Sequence, residues 1–349
     1  MKILIVYASA GSGHRKAAEA IYNYFKKSSC GDDILLVDAL TESCAINRFL
    51  YTTGYRILVT YLVFFWRWGF WLTKIKSLRF FAKAITGVWN QFNSRGFLSL
   101  LIRENPDVVV STHFLPSGLT ASLKLKNKIN SKLYTVITDF GLHPFWLSEG
   151  TDYYVVACRY TKDLLLREGI AGEKIREFGI PVDEKFLRRG NRRALACSMG
   201  LDADKFTVLL MTGSFGIGPL EKIARMLHRD AQIIVICAGN KKLYHKLNRM
   251  YLSGVLALSF VDNPQDFMSV SDVIITKPGG LTLSEIVAME LAPVFVSAIP
   301  GQEVYNQEIF RQYGAGIIPD SIRQIKDIIL DFKNNPDKLE EQREAVRRL

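Results

Sequence analysis

Short apolar runs alternate along the chain with stretches in which apolar residues recur every three or four positions. The runs at 2–8, 34–37, 107–112, 133–138, 153–157, 175–179, 207–212, 232–238, 256–261, 272–276 and 294–298 are predicted strands. Several, such as DVVVST and AQIIVICAG, are continuously apolar, as strands of a parallel sheet buried on both faces must be. Helices predicted between them include 14–27, 159–168, 219–228, 264–269, 282–290 and 303–312. Strand and helix in alternation give the α/β class. The strand signal restarts at Phe206 after the polar, charged segment DEKFLRRGNRRALACSMGLDADK. The chain is therefore expected to form two doubly wound domains in tandem with a cleft between them. The expected divisions are 1–185, a linker at 186–205, 206–320 and a polar helical tail at 321–349. Its length, 349 residues, suits two domains, and 48% hydrophobic residues suffice to fill both cores.

In such sheets ligands sit beyond the carboxyl ends of the strands, so the residues that follow each strand carry the candidate chemistry. After 2–8 comes ASAGSGH, after 107–112 His113, and after 133–138 Asp139 within TDFGLHPFW. In the second half come GSFGIG, the pair Gly239 and Asn240, KPGG, and IPGQE. A glycine loop that opens a helix exposes free amides and the positive end of the helix dipole, which together bind anions. KPGGLTLSE is such a loop, although Thr282 and Glu285 also fit a capping box that would need no ligand. MTGSFGIGPL repeats the device, with Gly213, Gly216 and Gly218 before a helix begun near Pro219. Two such loops in one domain favour a diphosphate-containing ligand such as a nucleotide sugar. Gln302, Glu303 and Asn306 offer the amide and carboxylate partners that sugar hydroxyls take, or else a solvated helix start. GSGHRKAAEAI fits neither common nucleotide fingerprint, but it places His14 at a helix start beyond a strand. A neutral imidazole there can take a proton from a hydroxyl, and the helix dipole favours the neutral form. A histidine that caps or packs is the alternative. The D-x-D at Asp202–Asp204 lies in the polar segment and is read as chance.

Charge and cysteine usage narrow the setting. Five cysteines with no C-x-x-C pair read as reduced thiols in a cytosolic protein. The N-terminal apolar run is short and leads into a helical pattern, so it reads as a strand rather than a signal peptide. Nothing reaches the ~20 apolar residues of a membrane span; the longest candidate, from Ile57 to Trp66, stops at Arg67. The formal charge of +11 suits an anionic partner. Between Ser43 and Arg103 there is no Asp or Glu, but there are nine Lys or Arg and four of the five tryptophans. Nucleic-acid binding, an interfacial element with aromatics at headgroup depth, and a buried helix with a basic outer face are the three readings of this stretch. The run ILVTYLVFFW favours the interface, with Trp66, Trp68 and Trp71 as its anchors and no nucleic acid as partner.

GSGHRKAAEAI, VITDFGLHPFW, FGIPVDEKF, ITKPGGLTLSE and IPGQEVYNQ together resemble the monogalactosyldiacylglycerol synthase and processive diacylglycerol glucosyltransferase family. The second half resembles the C-terminal domain of family 28 glycosyltransferases. The resemblance covers about residues 1–320. It implies a GT-B fold, with an N-terminal acceptor- and membrane-binding domain and a C-terminal UDP-sugar-binding domain. It also implies inverting transfer of glucose or galactose from UDP-glucose or UDP-galactose to diacylglycerol, with neither metal nor cofactor. Carried over residue by residue, Glu285 would bind the ribose, and Gly279, Gly280, Thr282, Gly213 and Ser214 would lie by the diphosphate. Gln302 and Glu303 would face the hexose. Gly13, Phe260, Val261 and Asn306 are counted with this donor group. His14 would be the base, Asp139 a second catalytic candidate, and His143 a residue of the acceptor side. The implied setting is the cytoplasm, bound peripherally to the anionic inner face of the cell membrane. Another lipid acceptor such as lipid I, or a non-catalytic UDP-sugar sensor, are the alternatives. By analogy, the C-terminal tail would pack back on the first domain.

Overall fold

In the computed structural model, described for residues 1–28, 31–72 and 76–349, each half of the chain builds its own parallel sheet. The side chains at 60, 66, 70–72 and 76–80 lie outside that description, and with them the expectations placed on Trp66 and Trp71. Two compact units result, Met1–Asp183 with Pro300–Gln302, and Glu184–Ile299 with Glu303–Leu349.

The first unit holds β1 (Lys2–Tyr7), β2 (Asp33–Asp38), β3 (Val108–Ser111), β4 (Lys132–Val136), β5 (Tyr153–Val156) and β6 (Ile175–Glu177), in the spatial order β2-β1-β3-β4-β5-β6. Every pairing is parallel. Strand order reverses between β1 and β3, the position at which open α/β sheets take ligands. Ile3 and Ile5 face one core cluster and Leu4 and Val6 another, so β1 is apolar on both faces, as its sequence shows.

The second unit holds β7 (Thr207–Met211), β8 (Gln232–Ile236), β9 (Val255–Leu258), β10 (Val273–Thr276) and β11 (Ala292–Phe295), in the order β11-β10-β7-β8-β9. Its pairings are parallel too, and the order reverses between β7 and β10. Ile325, Ile329, Phe332 and Leu339, from the helices Ile322–Asn334 and Pro336–Arg347, complete the core formed by Val208, Val235, Ile275 and Val294. These C-terminal helices therefore belong to the second unit. Arg189 and Arg192, from the polar segment 186–205, are bound within the second unit, Arg189 to the Met289 carbonyl and Arg192 to the Asp272 carboxylate.

The acid-free stretch is helical: Ala45–Phe49, a π-helical turn at Leu50–Gly54, Tyr55–Thr60, Val63–Leu72, Lys76–Asn93 and Arg95–Glu104. Among its described side chains, the apolar stripe of Lys76–Asn93 is not buried. Phe81, Ile85, Val88, Trp89 and Phe92, spaced as one helical face, are 44–69% exposed. Phe49, Phe64, Phe65 and Trp68 are also exposed. This overturns the reading of an ordinary buried helix with a basic outer face. No described helix is long and apolar enough to cross a membrane.

Candidate functional site

In the first unit the candidate chemistry gathers where β1 and β3 end. The loop after β1 is fastened on both sides. Ser9 donates its amide at 3.2 Å, and its hydroxyl, to the Asp38 carboxylate at the end of β2. On the other side, the Thr112 amide donates to the Val6 carbonyl at 3.0 Å, and the Thr112 hydroxyl donates to the His14 carbonyl at 2.8 Å. His14 enters the helix Ser12–Ser28 from this loop, with its Nδ1 2.8 Å from the Thr112 carbonyl oxygen and 2.8 Å from Thr138 Oγ1. A carbonyl can only accept, so Nδ1 carries the proton and Nε2 keeps its lone pair. Burial pushes the imidazole down from 6.5 to about 4, against the opposing effect of the Thr112 hydrogen bond. The ring is therefore neutral at working pH, with its basic nitrogen available.

His113 packs against it. The two ring centroids lie 4.5 Å apart at 81°, edge to face. His113 is nearly inaccessible and caps the helix Phe114–Leu125 by accepting the Leu115 amide hydrogen at Nδ1, 3.0 Å away. Burial first, and the neighbouring His14 second, hold it well below the ordinary histidine value. Trp146 is buried 6.2 Å from His14, and its indole N–H meets no acceptor among the described residues. Asp139 directly follows Thr138 and is partly buried. The His143 Nδ1 accepts the Phe145 amide hydrogen at 3.3 Å, which shapes the turn Pro144–Trp146. Gly13 lies in the first turn of the His14 helix.

In the second unit the two glycine loops follow β7 and β10, neighbours at the point where strand order reverses. The helix Gly280–Ala288 has Gly279 as its N-cap, at φ −73° and ψ 137°, with no side chain capping it. Thr282 is thus inside the helix, and the capping-box reading of Thr282 and Glu285 does not hold. The first-turn amides of Gly280, Leu281 and Thr282 have no intrahelical acceptor. A Cβ at Gly279 would make only an ordinary contact, 3.9 Å from Glu303 Oε1. Neither strain nor the protein's own packing demands glycine there, which leaves the loop open to close approach from outside. Glu285 sits one turn further on, 7% exposed.

Gly213 and Ser214 begin the other loop. The loop is pinned to the end of β8, with the Gly239 amide donating to the Ser214 carbonyl at 3.1 Å and Asn240 Nδ2 to the Gly216 carbonyl at 3.0 Å. At Gly216 glycine is obligatory: φ is +56°, and a Cβ would lie 2.1 Å from the Cys237 carbonyl. Thr212, at the mouth of this loop, is buried with a hydroxyl that has no partner among the described residues.

Two donor-side expectations find their side chains engaged by the protein. Glu303 accepts the Ile299 amide hydrogen at 2.7 Å and pairs with Lys277 Nζ at 3.4 Å. The fully buried Asn306 donates to the Pro278 carbonyl at 3.0 Å and so braces the KPGG loop from beneath. Gln302 opens the helix Gln302–Gln312. Phe260 is exposed and Val261 partly so, just beyond the end of β9. Sequence reading took in His113 and, within KPGG, Lys277 as strand-end positions, but it did not single out Thr112, Thr138 or Thr212. All five follow the ends of β3, β4, β7 and β10, and that position was the signal available.

With this geometry in view, the likenesses to known proteins are specific. The family model for monogalactosyldiacylglycerol (MGDG) synthase matches residues 14–182. The processive diacylglycerol beta-glucosyltransferase of Staphylococcus saprophyticus is 28% identical, over 99% of this chain and 88% of that one. The protein of the same name from Bacillus cereus is 29% identical, over 91% and 81%. Among solved structures, MurG of Acinetobacter baumannii superposes with a TM-score of 0.60 at 14% identity, covering 99% of this chain and 94% of that one. Anabaena HepE in complex with UDP-glucose gives 0.57 at 13% identity, covering 99% and 93%. The structural likenesses establish the fold, GT-B, with two Rossmann-like units. The chain resembles processive diacylglycerol glucosyltransferases along nearly its whole length, and the MGDG synthase family over residues 14–182.

Proposed function

We propose that this protein is a glycosyltransferase that moves a hexose, glucose or galactose, from a UDP-sugar to diacylglycerol with inversion at the anomeric carbon. The observation that carries the reading is His14. Its Nδ1–H is committed to the Thr112 carbonyl, which leaves Nε2 as a neutral base at the ligand-binding edge of the first sheet. The chain also resembles diacylglycerol glucosyltransferases over nearly its full length.

In this reading the acceptor hydroxyl oxygen attacks the anomeric carbon as the bond from that carbon to UDP breaks. The hydroxyl proton passes to His14 Nε2. UDP leaves with its charge held by the amides of Gly280, Leu281 and Thr282 and by the dipole of their helix. Glu285 takes the ribose hydroxyls, and the loop from Gly213 shares the diphosphate. Glu303 reaches the hexose only by leaving Lys277, which would then be free to neutralise charge on the leaving group. Asp139 and His143 serve the acceptor side. The exposed apolar stripe of Lys76–Asn93, with Trp68, docks the enzyme on an anionic membrane surface where its insoluble acceptor lies.

The test is a product assay. Vesicles of diacylglycerol and anionic lipid are offered UDP-glucose or UDP-galactose in separate reactions, and the lipids are weighed by mass spectrometry. Glycosylated diacylglycerol is expected with one donor. His14→Ala is expected to abolish product while UDP binding, measured by calorimetry, survives. Unchanged turnover in that variant would remove His14 as the base. No product from protein that binds UDP would move the reading to another lipid acceptor or to a sensor.

A further inference from the structure

We propose that His113 is a positioning residue for His14, its ring fixing the plane in which the His14 imidazole receives the acceptor's proton. The inference rests on His14 being the base. Thr112 and the Thr138 hydroxyl both hold the ring at its Nδ1 edge, so the faces of the ring and its Nε2 edge are left to packing. A fixed plane needs a contact there as well, and the His113 ring supplies it at 4.5 Å, with Trp146 further off at 6.2 Å.

His113 also has to stay uncharged, because a second cation at that separation would oppose proton uptake by His14. Its geometry secures this. The Nδ1 lone pair is occupied by the Leu115 amide hydrogen, so protonation there would cost the helix its cap. The rings packed on His113 are His14 from the helix Ser12–Ser28, Tyr51 from the turn Leu50–Gly54, Phe114 and Trp146. Of these only His14 and Tyr51 titrate, and burial raises Tyr51 further from neutrality. One side chain thus serves as cap and as neutral aromatic wall, and two substitutions separate those roles.

His113→Asn keeps an acceptor for the Leu115 amide and loses the ring. His113→Phe keeps a ring and loses the acceptor. The readouts are turnover, KM for the UDP-sugar, urea stability, and the titration of His14 followed by NMR at its Cε1–H. For His113→Asn, turnover is expected to fall roughly 10- to 100-fold with the donor KM unchanged. The His14 midpoint is expected to rise from about 4 towards its ordinary value. His113→Phe is expected to lose stability yet keep turnover within a few-fold. Full turnover in His113→Asn with the His14 titration unmoved would reduce His113 to a helix cap. Should His113→Asn not fold, a loss of turnover in folded His113→Phe as large as that expected of the asparagine variant would overturn the proposal as well. If His14→Gln keeps turnover while His113→Asn still moves the His14 titration, the packing stands and the base assignment falls.

Discussion

At the scale of single residues the site is governed by partners that lie far apart in the chain. His14 and Thr112 are separated by 98 positions, and their hydrogen bond decides which imidazole nitrogen is basic. Burial then makes the protein pH-sensitive in a defined direction. The unfolded chain takes up a proton at His14 near its ordinary 6.5, whereas the folded chain does so only at about 4. Stability should therefore fall as pH drops through that window, by up to ~1.4 kcal/mol per pH unit from this group, and His113 adds with the same sign. Urea midpoints measured at several pH values between 7.5 and 4.5 should decline, and the decline should be shallower in His14→Gln. Equal slopes would mean that His14 is not held neutral by burial. The motif GSGH made His14 legible in the sequence, but the tautomer was not, because Thr112 carries no local mark of its role. For Glu285 the sequence left two readings, a ribose ligand implied by resemblance and a capping box, and the structure removes the second. Its spacing from Thr282 mimics a capping box, yet the cap is Gly279.

At the scale of elements, legibility followed burial. The strands stand near their expected positions, most plainly β1, β7, β8 and β10, because a strand buried on both faces must be written as an unbroken apolar run, whereas β6, Ile175–Glu177, is only partly buried. The helix Phe114–Leu125 was harder to see, since it buries Ser117 and Thr120 along with its apolar residues and so gives little 3.6-residue contrast. Lys76–Asn93 is the opposite case. Its periodicity is plain, but periodicity does not say which side faces the protein, and here the apolar side faces out. Side chains so exposed add little to folding, and each would gain on the order of 1 kcal/mol on entering an apolar phase. Replacing Phe81, Ile85, Val88 and Phe92 together with Ser should therefore leave the melting temperature within a few degrees of the parent. In flotation assays, binding to vesicles of mixed anionic lipid should fall at least ten-fold. Vesicle binding that survives the change would detach the stripe from the membrane, and a collapse in stability would show that the stripe belongs to a core.

At the scale of the molecule, the question is where one folding unit ends. The segment 186–205 reads as a linker because it is polar and charged, but its arginines also reach partners far along the chain. Arg192 grips the Asp272 carboxylate through both oxygens, at 2.7 and 2.9 Å, and the Thr207 amide donates to the same group at 2.8 Å. Arg343, near the C-terminus, donates to the Asp272 carbonyl at 3.3 Å. The base of β10 is thus tied to both ends of its own unit. The C-terminal helices contribute Ile325, Ile329, Phe332 and Leu339 to the core, burial worth on the order of 8 kcal/mol, comparable with the whole stability of a domain. Three fragments distinguish these contributions. Residues 184–349 should fold alone, with a cooperative melt by circular dichroism, and should bind UDP if the donor site is read correctly. Residues 206–349 should fold with roughly 1–3 kcal/mol less stability, because Asp272 loses its bidentate partner. Residues 184–320 should not fold. If 206–349 proves as stable as 184–349, Arg192 is ornamental and the segment is a true linker. If 184–320 melts cooperatively, the sheet is self-sufficient and the C-terminal helices are an appendage to it.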